Sequence, residues 1–358
     1  MFIYLSLIVF VVFFAYLAKM KGVAKTESRA LLFIAFLAMV LVAGLRDQSV
    51  GTDSWSYVRY FGWIESIEDF LKYGSNTFEY GYWGLNWLLR HLSDQYVLLF
   101  TVLAVIVVGC YQKAIIDNSR NIPVSLFLFI SMGFYTFFLN GARQGVACSI
   151  CALALRFLVL RDVWRYLALI ILASTFHKTA LVMLPVYFLL RRENTYKVNI
   201  SIGVLGVLGA LILQEAVGIG SQFDKRYESF ATSEEGGGVL IVLFYFLHMF
   251  FFLACKKMIR IDRGRYSIFL NMFVFGSVIA LVSVLFRLNP SGILRLCVYF
   301  NIGAVFLWPI LLLNIRDEVY KFYIIGIFVV FYVIFFILTT LRFSQLTPYS
   351  FNKTLNLF

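Results

Sequence analysis

Residues 165–190 read RYLALIILASTFHKTALVMLPVYFLL. After Arg165 the run holds one charged group, Lys178, next to His177 at its midpoint, with Arg161 before it and Arg191 and Arg192 after it. Basic residues at both ends of an apolar run put both ends on the cytoplasmic side of a bilayer, where Lys and Arg accumulate. The run then reads as a short hairpin with His-Lys at its tip. Each arm has about 12 residues, or ~18 Å at ~1.5 Å per residue, and falls short of a hydrocarbon core of ~30 Å. A re-entrant or tilted turn of this kind persists only where protein surrounds it or where it lines a wet cavity. The alternative is one long tilted helix with a snorkelling lysine.

Around this run the chain is apolar throughout. Of its 358 residues 61% are hydrophobic and 14% charged, against ~25% charged in a soluble domain, and its mean hydropathy is +0.86. This is an integral membrane protein. Soluble one-core, disordered, collagenous and disulfide-framework classes are excluded, since there are 5 Pro, 24 Gly without a period and 5 Cys. Apolar runs lie at 2–18, 29–45, 95–112, 122–140, 144–160, 165–190, 200–217, 239–255, 267–287, 293–314 and 322–341, each near the ~20 residues of a spanning helix. They are continuous rather than alternating, which excludes a barrel. The fold class is therefore all-α: one polytopic helical membrane domain over 1–358, with about 11–12 transmembrane helices. Met1 to Ala18 lacks a basic n-region and reads as a first span rather than a signal peptide.

The net charge of +12 follows from topology and does not point to nucleic acid. Segments 19–29 and 256–265 are the most basic connections and belong in the cytoplasm. They share that side only if 165–190 crosses twice, and this arrangement places most of the 31 Lys and Arg inside. It leaves two large external segments, 46–94 and 218–238. Within the first, RYFGWIESIEDFL and YGYWGLNWLLRHL read as amphipathic helices lying at the interface or capping a vestibule.

Ionisable groups at the external ends of the spans are the functional candidates. They are Arg46, Asp53 in VGTD, Glu79 in FEYGYWGLN, Arg143 in NGARQG, and His177 and Lys178 at the hairpin tip, with Arg287 and Arg295 further on. No topology rule rewards external arginines, and guanidinium forks match phosphate oxygens, so a pyrophosphate-bearing ligand suits them. Ion pairs with Asp47, Asp53 or Glu79 are the competing explanation. Imidazole ordinarily titrates near neutral pH, which makes His177 a candidate acid or base as well as a candidate structural residue. His248 reads as an interhelical hydrogen-bonding group, His91 as surface, and Arg156 as a snorkelling residue. Cys110, Cys148, Cys151, Cys255 and Cys297 read as packing residues, Gly236–Gly238 as a flexible link, and nothing has metal-ligand spacing.

In order, GLRDQSVGTDSWSYVRYF, FEYGYWGLN, NGARQGVACSICALALRFL and LASTFHKTALVMLPVYFLL resemble the EpsG family of Wzy-type polysaccharide polymerases. The likeness is strongest over 40–190. Beyond 200 it rests on hydropathy and on RLNPSGILRLCVYF, where Arg295 and Tyr299 stand one helical turn apart. The resemblance implies a GT-C-like glycosyltransferase in the bacterial inner membrane that joins undecaprenyl-diphosphate-linked oligosaccharide repeats on the extracytoplasmic face, for capsule, exopolysaccharide or O-antigen. It implies no soluble cofactor and no metal, and adds a chain-length regulator as a protein partner. On that basis Arg46, Arg143, Lys178, Arg287 and Arg295 would bind the diphosphate, Trp55, Tyr57, Tyr80 and Tyr299 the glycan, and His177, Asp53 or Glu79 would take the acceptor proton. Two other classes stay open: a flippase for the same lipid-linked sugars, and a membrane O-acyltransferase with His177 as base.

Overall fold

The computed structural model describes residues 1–64, 68, 79–223, 239–285 and 294–352. Of the described residues 82% are helical. Among the described residues there is no strand, only the isolated bridge Arg46–Phe351. Among the described residues eight helices are long and apolar enough to cross a membrane: 25–44, 96–118, 122–140, 142–160, 241–258, 263–285, 295–314 and 318–342. Shorter apolar helices cover Phe2–Leu17, Val163–Ser174, Lys178–Leu190 and Tyr196–Gly209. The protein is an all-α polytopic membrane protein.

It divides into two compact units. The first holds Met1–Leu181 and Ile315–Phe358. Its helices are α1 (Phe2–Leu17), α2 (Lys25–Gly44), α3 (Ser54–Trp63), α4 (Tyr80–Leu92), α5 (Tyr96–Asn118), α6 (Ile122–Ser131), α7 (Phe134–Asn140), α8 (Ala142–Leu160) and α9 (Val163–Ser174). Here α5 packs between α2 and α8, α1 rests on α2 and α6, and α8 carries α9. The second unit, Val182–Asn314, is built on one long apolar helix, Arg263–Leu285, against which 183–190, 196–223, 239–255, 295–301 and 303–314 all pack. Asn271 on that helix donates to the carbonyls of Leu190 and Arg192 at 3.1 and 2.8 Å, and Phe252 packs edge-on against both Phe273 and Trp308. The last helix, Glu318–Phe343, returns to the first unit and lies on α6.

The described residues bear on several of these expectations. Within the span 122–140 the helix is interrupted after Ser131, with Gly133 at φ +87° opening α7. The run 293–314 breaks at Ile302. Arg156 does not simply snorkel, because Asp117 takes it at 3.1 Å and Lys113 as well. His248 donates from Nδ1 to Phe244 O at 2.7 Å, one turn back in its own helix; a hydroxyl or imidazole inside a helix finds that carbonyl at no cost in chain ordering. The five cysteines are unbridged. Residues 65–67, 69–78 and 224–238, and so most of IESIEDFL, the Gly236–Gly238 link and much of the segment 218–238, lie outside the described residues, as does Arg287.

One element lies outside every apolar run of the sequence. After the last helix, residues 345–352 form a strap along the loop that follows α2. Gly51 N–H donates to Gln345 O at 3.0 Å, Asp47 N–H to Ser350 O at 2.9 Å, and Asn352 N–H to Leu45 O at 2.9 Å. Tyr349 OH donates to Val42 O at 2.8 Å, and Asn140 Nδ2 to Ser344 O at 2.9 Å. Backbone groups of a loop near a membrane must find partners within the protein, and the strap supplies them for 45–51.

Candidate functional site

Three stretches of the first unit meet at Glu79. This residue is the N-cap of α4, whose buried face carries Tyr82, Trp83, Asn86 and Leu89. The helix start is docked on the end of α9: Gly81 N–H donates to Thr175 O at 2.8 Å. A Cβ at position 81 would collide with Thr175 Oγ1 and come within 2.9 Å of the Thr175 carbonyl oxygen, so the approach requires glycine. The α9 helix ends at Ser174, and a 3-10 turn begins at Lys178. His177 therefore sits in a break of the run 165–190, with its side chain directed at Glu79.

The third stretch is the tight turn between α7 and α8. A Cβ at Gly145 would collide with Phe138, which is why the two helices can cross closely enough to aim Arg143 from the first turn of α8. The turn is gripped from several sides. Tyr57 OH accepts from Ala142 N–H at 3.0 Å, Asn140 Oδ1 accepts from Thr52 N–H at 3.0 Å, and Leu139 O accepts from Ser54 Oγ and from Arg46 Nη2, both at 3.3 Å.

At the junction, Glu79 serves two groups with two oxygens. Arg143 Nη1 donates to Oε2 at 2.8 Å. His177 Nδ1–H donates to Oε1 at 2.9 Å, and the Lys178 backbone N–H reaches the same oxygen at 3.3 Å. The Glu79 side chain is 10% exposed, against 28% for Arg143 and 24% for His177. Burial alone would raise the carboxyl pKa, but the His177 hydrogen bond and the Arg143 charge outweigh it and pull Glu79 down to about 2. Because the carboxylate is acceptor-only, it selects the Nδ1–H tautomer and leaves Nε2 as the basic nitrogen of His177.

The remaining sequence candidates are distributed differently. Arg46 is 1% exposed. It donates to Ala43 O and Leu139 O and lies 3.9 Å from the centroid of the Phe100 ring. Burial pushes its guanidinium down to about 10, still charged at neutral pH. In this arrangement it holds the Leu139 turn from inside rather than facing a ligand. Lys178 is exposed. Asp53 is the N-cap residue of α3, its side chain makes no capping bond, and it forms none of the bonds to Glu79, Arg143 or His177. Tyr57 is buried against Tyr82 at 6.0 Å, Tyr80 is exposed, and Trp55 is exposed on the opposite side of α3 from Tyr57. Arg295 and Tyr299 belong to the second unit, where Tyr299 is buried. Sequence reading missed Tyr82, Asn140 and Thr175, although each lies in or beside a quoted motif. No group of three or more His, Cys, Asp or Glu able to hold a metal occurs among the described residues.

The closeness at Gly81 is testable. Gly81→Ala is expected to destabilise the protein by about 1–3 kcal/mol, as overpacking does, and to lower activity by shifting Glu79 from His177. Adding Thr175→Ala should recover part of the loss, because the hydroxyl clash goes while the carbonyl contact stays. Thermal unfolding in detergent checks both; a Gly81→Ala protein as stable as the parent removes the requirement.

Compared with known proteins, the chain matches the model of the EpsG family over residues 29–351, nearly its whole length. No curated protein and no solved structure matches it. With motifs from α2 to the His177 break joined at one carboxylate and the match running on almost to the end of the strap, the chain belongs to the EpsG family, a Wzy-like family of polysaccharide polymerases.

Proposed function

We propose that this protein is a glycosyltransferase that polymerises undecaprenyl-diphosphate-linked oligosaccharide repeats on the extracytoplasmic face of the bacterial inner membrane, working alongside a chain-length regulator. The observation that carries the reading is Glu79 joining an imidazole and a guanidinium through its two oxygens. The first is a proton acceptor and the second is a partner for a phosphate leaving group. In the step envisaged, an acceptor hydroxyl attacks the anomeric carbon of the donor repeat. A new C–O bond forms, the bond from the anomeric carbon to the diphosphate oxygen breaks, and the lipid diphosphate leaves with the electron pair. His177 Nε2 takes the hydroxyl proton, and Glu79 stabilises the imidazolium that results. Arg143 and the Lys178 ammonium face the charge that grows on the diphosphate. Glu79 itself, held at about 2, is too weak a base for the role. Tyr80, exposed on the first turn of α4, would contact the glycan. A sugar already activated on its lipid accounts for the lack of a nucleotide-binding fingerprint.

A flippase has no need of an oriented base. The two readings separate in a strain lacking the gene, with the surface glycan run on a gel. Single repeats at the cell surface and a polymer ladder restored by the gene are expected. Repeats stranded on the cytoplasmic face would instead make the protein a transporter.

A further inference from the structure

Both α3 and α4 also carry exposed apolar residues away from their buried faces. On α3, Trp55, Arg59 and Trp63 recur every fourth residue and so form one stripe. The opposite face, with Tyr57 and Phe61, is buried. Trp55 and Trp63 are each 55% exposed, and on α4, which packs against α3, Leu88 is 52% and Leu92 70% exposed. The Arg59 guanidinium carbon lies 4.3 Å from the Trp63 ring centroid and 5.4 Å from that of Trp55.

Neither helix is a span. The first follows α2, a candidate membrane span ending at Gly44, and the second leads into α5, a span beginning at Tyr96. Their place along the chain therefore puts them at the membrane end of two crossings. Indole and guanidinium together are the chemistry of the bilayer interface, where the ring body is apolar and the polar edge and the cation reach headgroups. A sugar-stacking platform needs an open ring face, whereas Arg59 already lies against the Trp63 ring. Two indoles and two leucines bared to water would leave an apolar surface that soluble faces rarely show.

We infer that this face is a membrane-anchoring surface: Trp55 and Trp63 sit in the phospholipid headgroup layer, Leu88 and Leu92 reach just below it, and Arg59 pairs with lipid phosphate. The anchor fixes the height of α3 and α4, and with them Glu79, at the level of the lipid phosphates. It stands on exposure and chemistry alone, whatever reaction the site performs.

The test uses the full chain in vesicles of phosphatidylcholine and phosphatidylglycerol that carry a nitroxide either on the headgroup or deep in the acyl chain. Subtracting the tryptophan emission of W55F/W63F from that of the parent isolates the two indoles. Their share should be quenched several-fold more by the headgroup label than by the deep label or by aqueous iodide. Arg59→Glu should weaken that quenching in vesicles rich in phosphatidylglycerol and less so in neutral ones. Stronger quenching by iodide than by labelled lipid, or shielding by soluble oligosaccharide in place of lipid quenching, overturns the inference. Should the double variant fail to reconstitute, W55F and W63F give the same subtraction one indole at a time.

Discussion

His177→Ala should cut polymer synthesis by on the order of 10²–10⁴-fold, the range expected for loss of a positioned general base, with the protein still present in the membrane. The side chain is partly exposed and its described side-chain bond goes to Glu79, so its removal costs a functional group more than it costs packing. Glu79→Gln should fall in the same range: an amide can accept the Nδ1–H but cannot stabilise an imidazolium, the reason a carboxylate-to-amide change is so damaging in catalytic triads. The readout is the turnover of purified protein on lipid-linked repeats, where kcat should fall with KM little changed. The pH dependence carries a second check. Glu79 has its carboxyl pKa lowered from 4.5 to about 2, so its ion pairs contribute fully above pH 4.5 and are lost only as the pH falls toward 2. Turnover should show no Glu79 inflection between about pH 4 and 5. A full ladder from His177→Ala would take His177 out of the proton path.

The pieces of this arrangement differed in how plainly they could be read. Apolar runs were legible because a bilayer demands unbroken helices, and even the break at His177 showed itself as a charged pair inside a run that cannot bury it cheaply. Hydropathy could not show that Glu79 and His177 meet across 98 positions of sequence. Their meeting depends on Gly81, and a single missing Cβ leaves no periodic trace. The burial of Arg46 was hidden for a related reason. At the end of a span it looks like a ligand-facing arginine, but the Phe100 ring and the strap residues around Tyr349 that enclose it come from distant parts of the chain. The strap itself is short, polar in part and irregular, so nothing in its composition announces that it pairs with 45–51. Helix breaks at Gly133 and Ile302 escaped notice because apolar composition continues through them.

Arg143→Ala should be the most damaging of the arginine and lysine changes, lowering turnover by about 10²–10³-fold as loss of one donor to a developing anion does. Two effects combine in that figure, and a cycle with Glu79→Gln separates them. If Arg143 served only to hold Glu79, removing it from a Glu79→Gln protein would cost nothing more. The geometry favours a further loss, because the side chain remains 28% exposed beside His177, where the lipid diphosphate would arrive. A second fall of about tenfold or more in the double variant is therefore expected, with a rise in the donor KM that His177→Ala does not share. Arg143→Lys should recover little, since an ammonium keeps the charge but cannot offer Glu79 and a phosphate two parallel donors at once. Lys178→Ala should be milder, because its backbone N–H still reaches Glu79 at 3.3 Å after the ammonium is gone. Wild-type turnover in Arg143→Ala would leave Glu79 and His177 as a pair without an anion site, and the leaving group would have to be sought elsewhere.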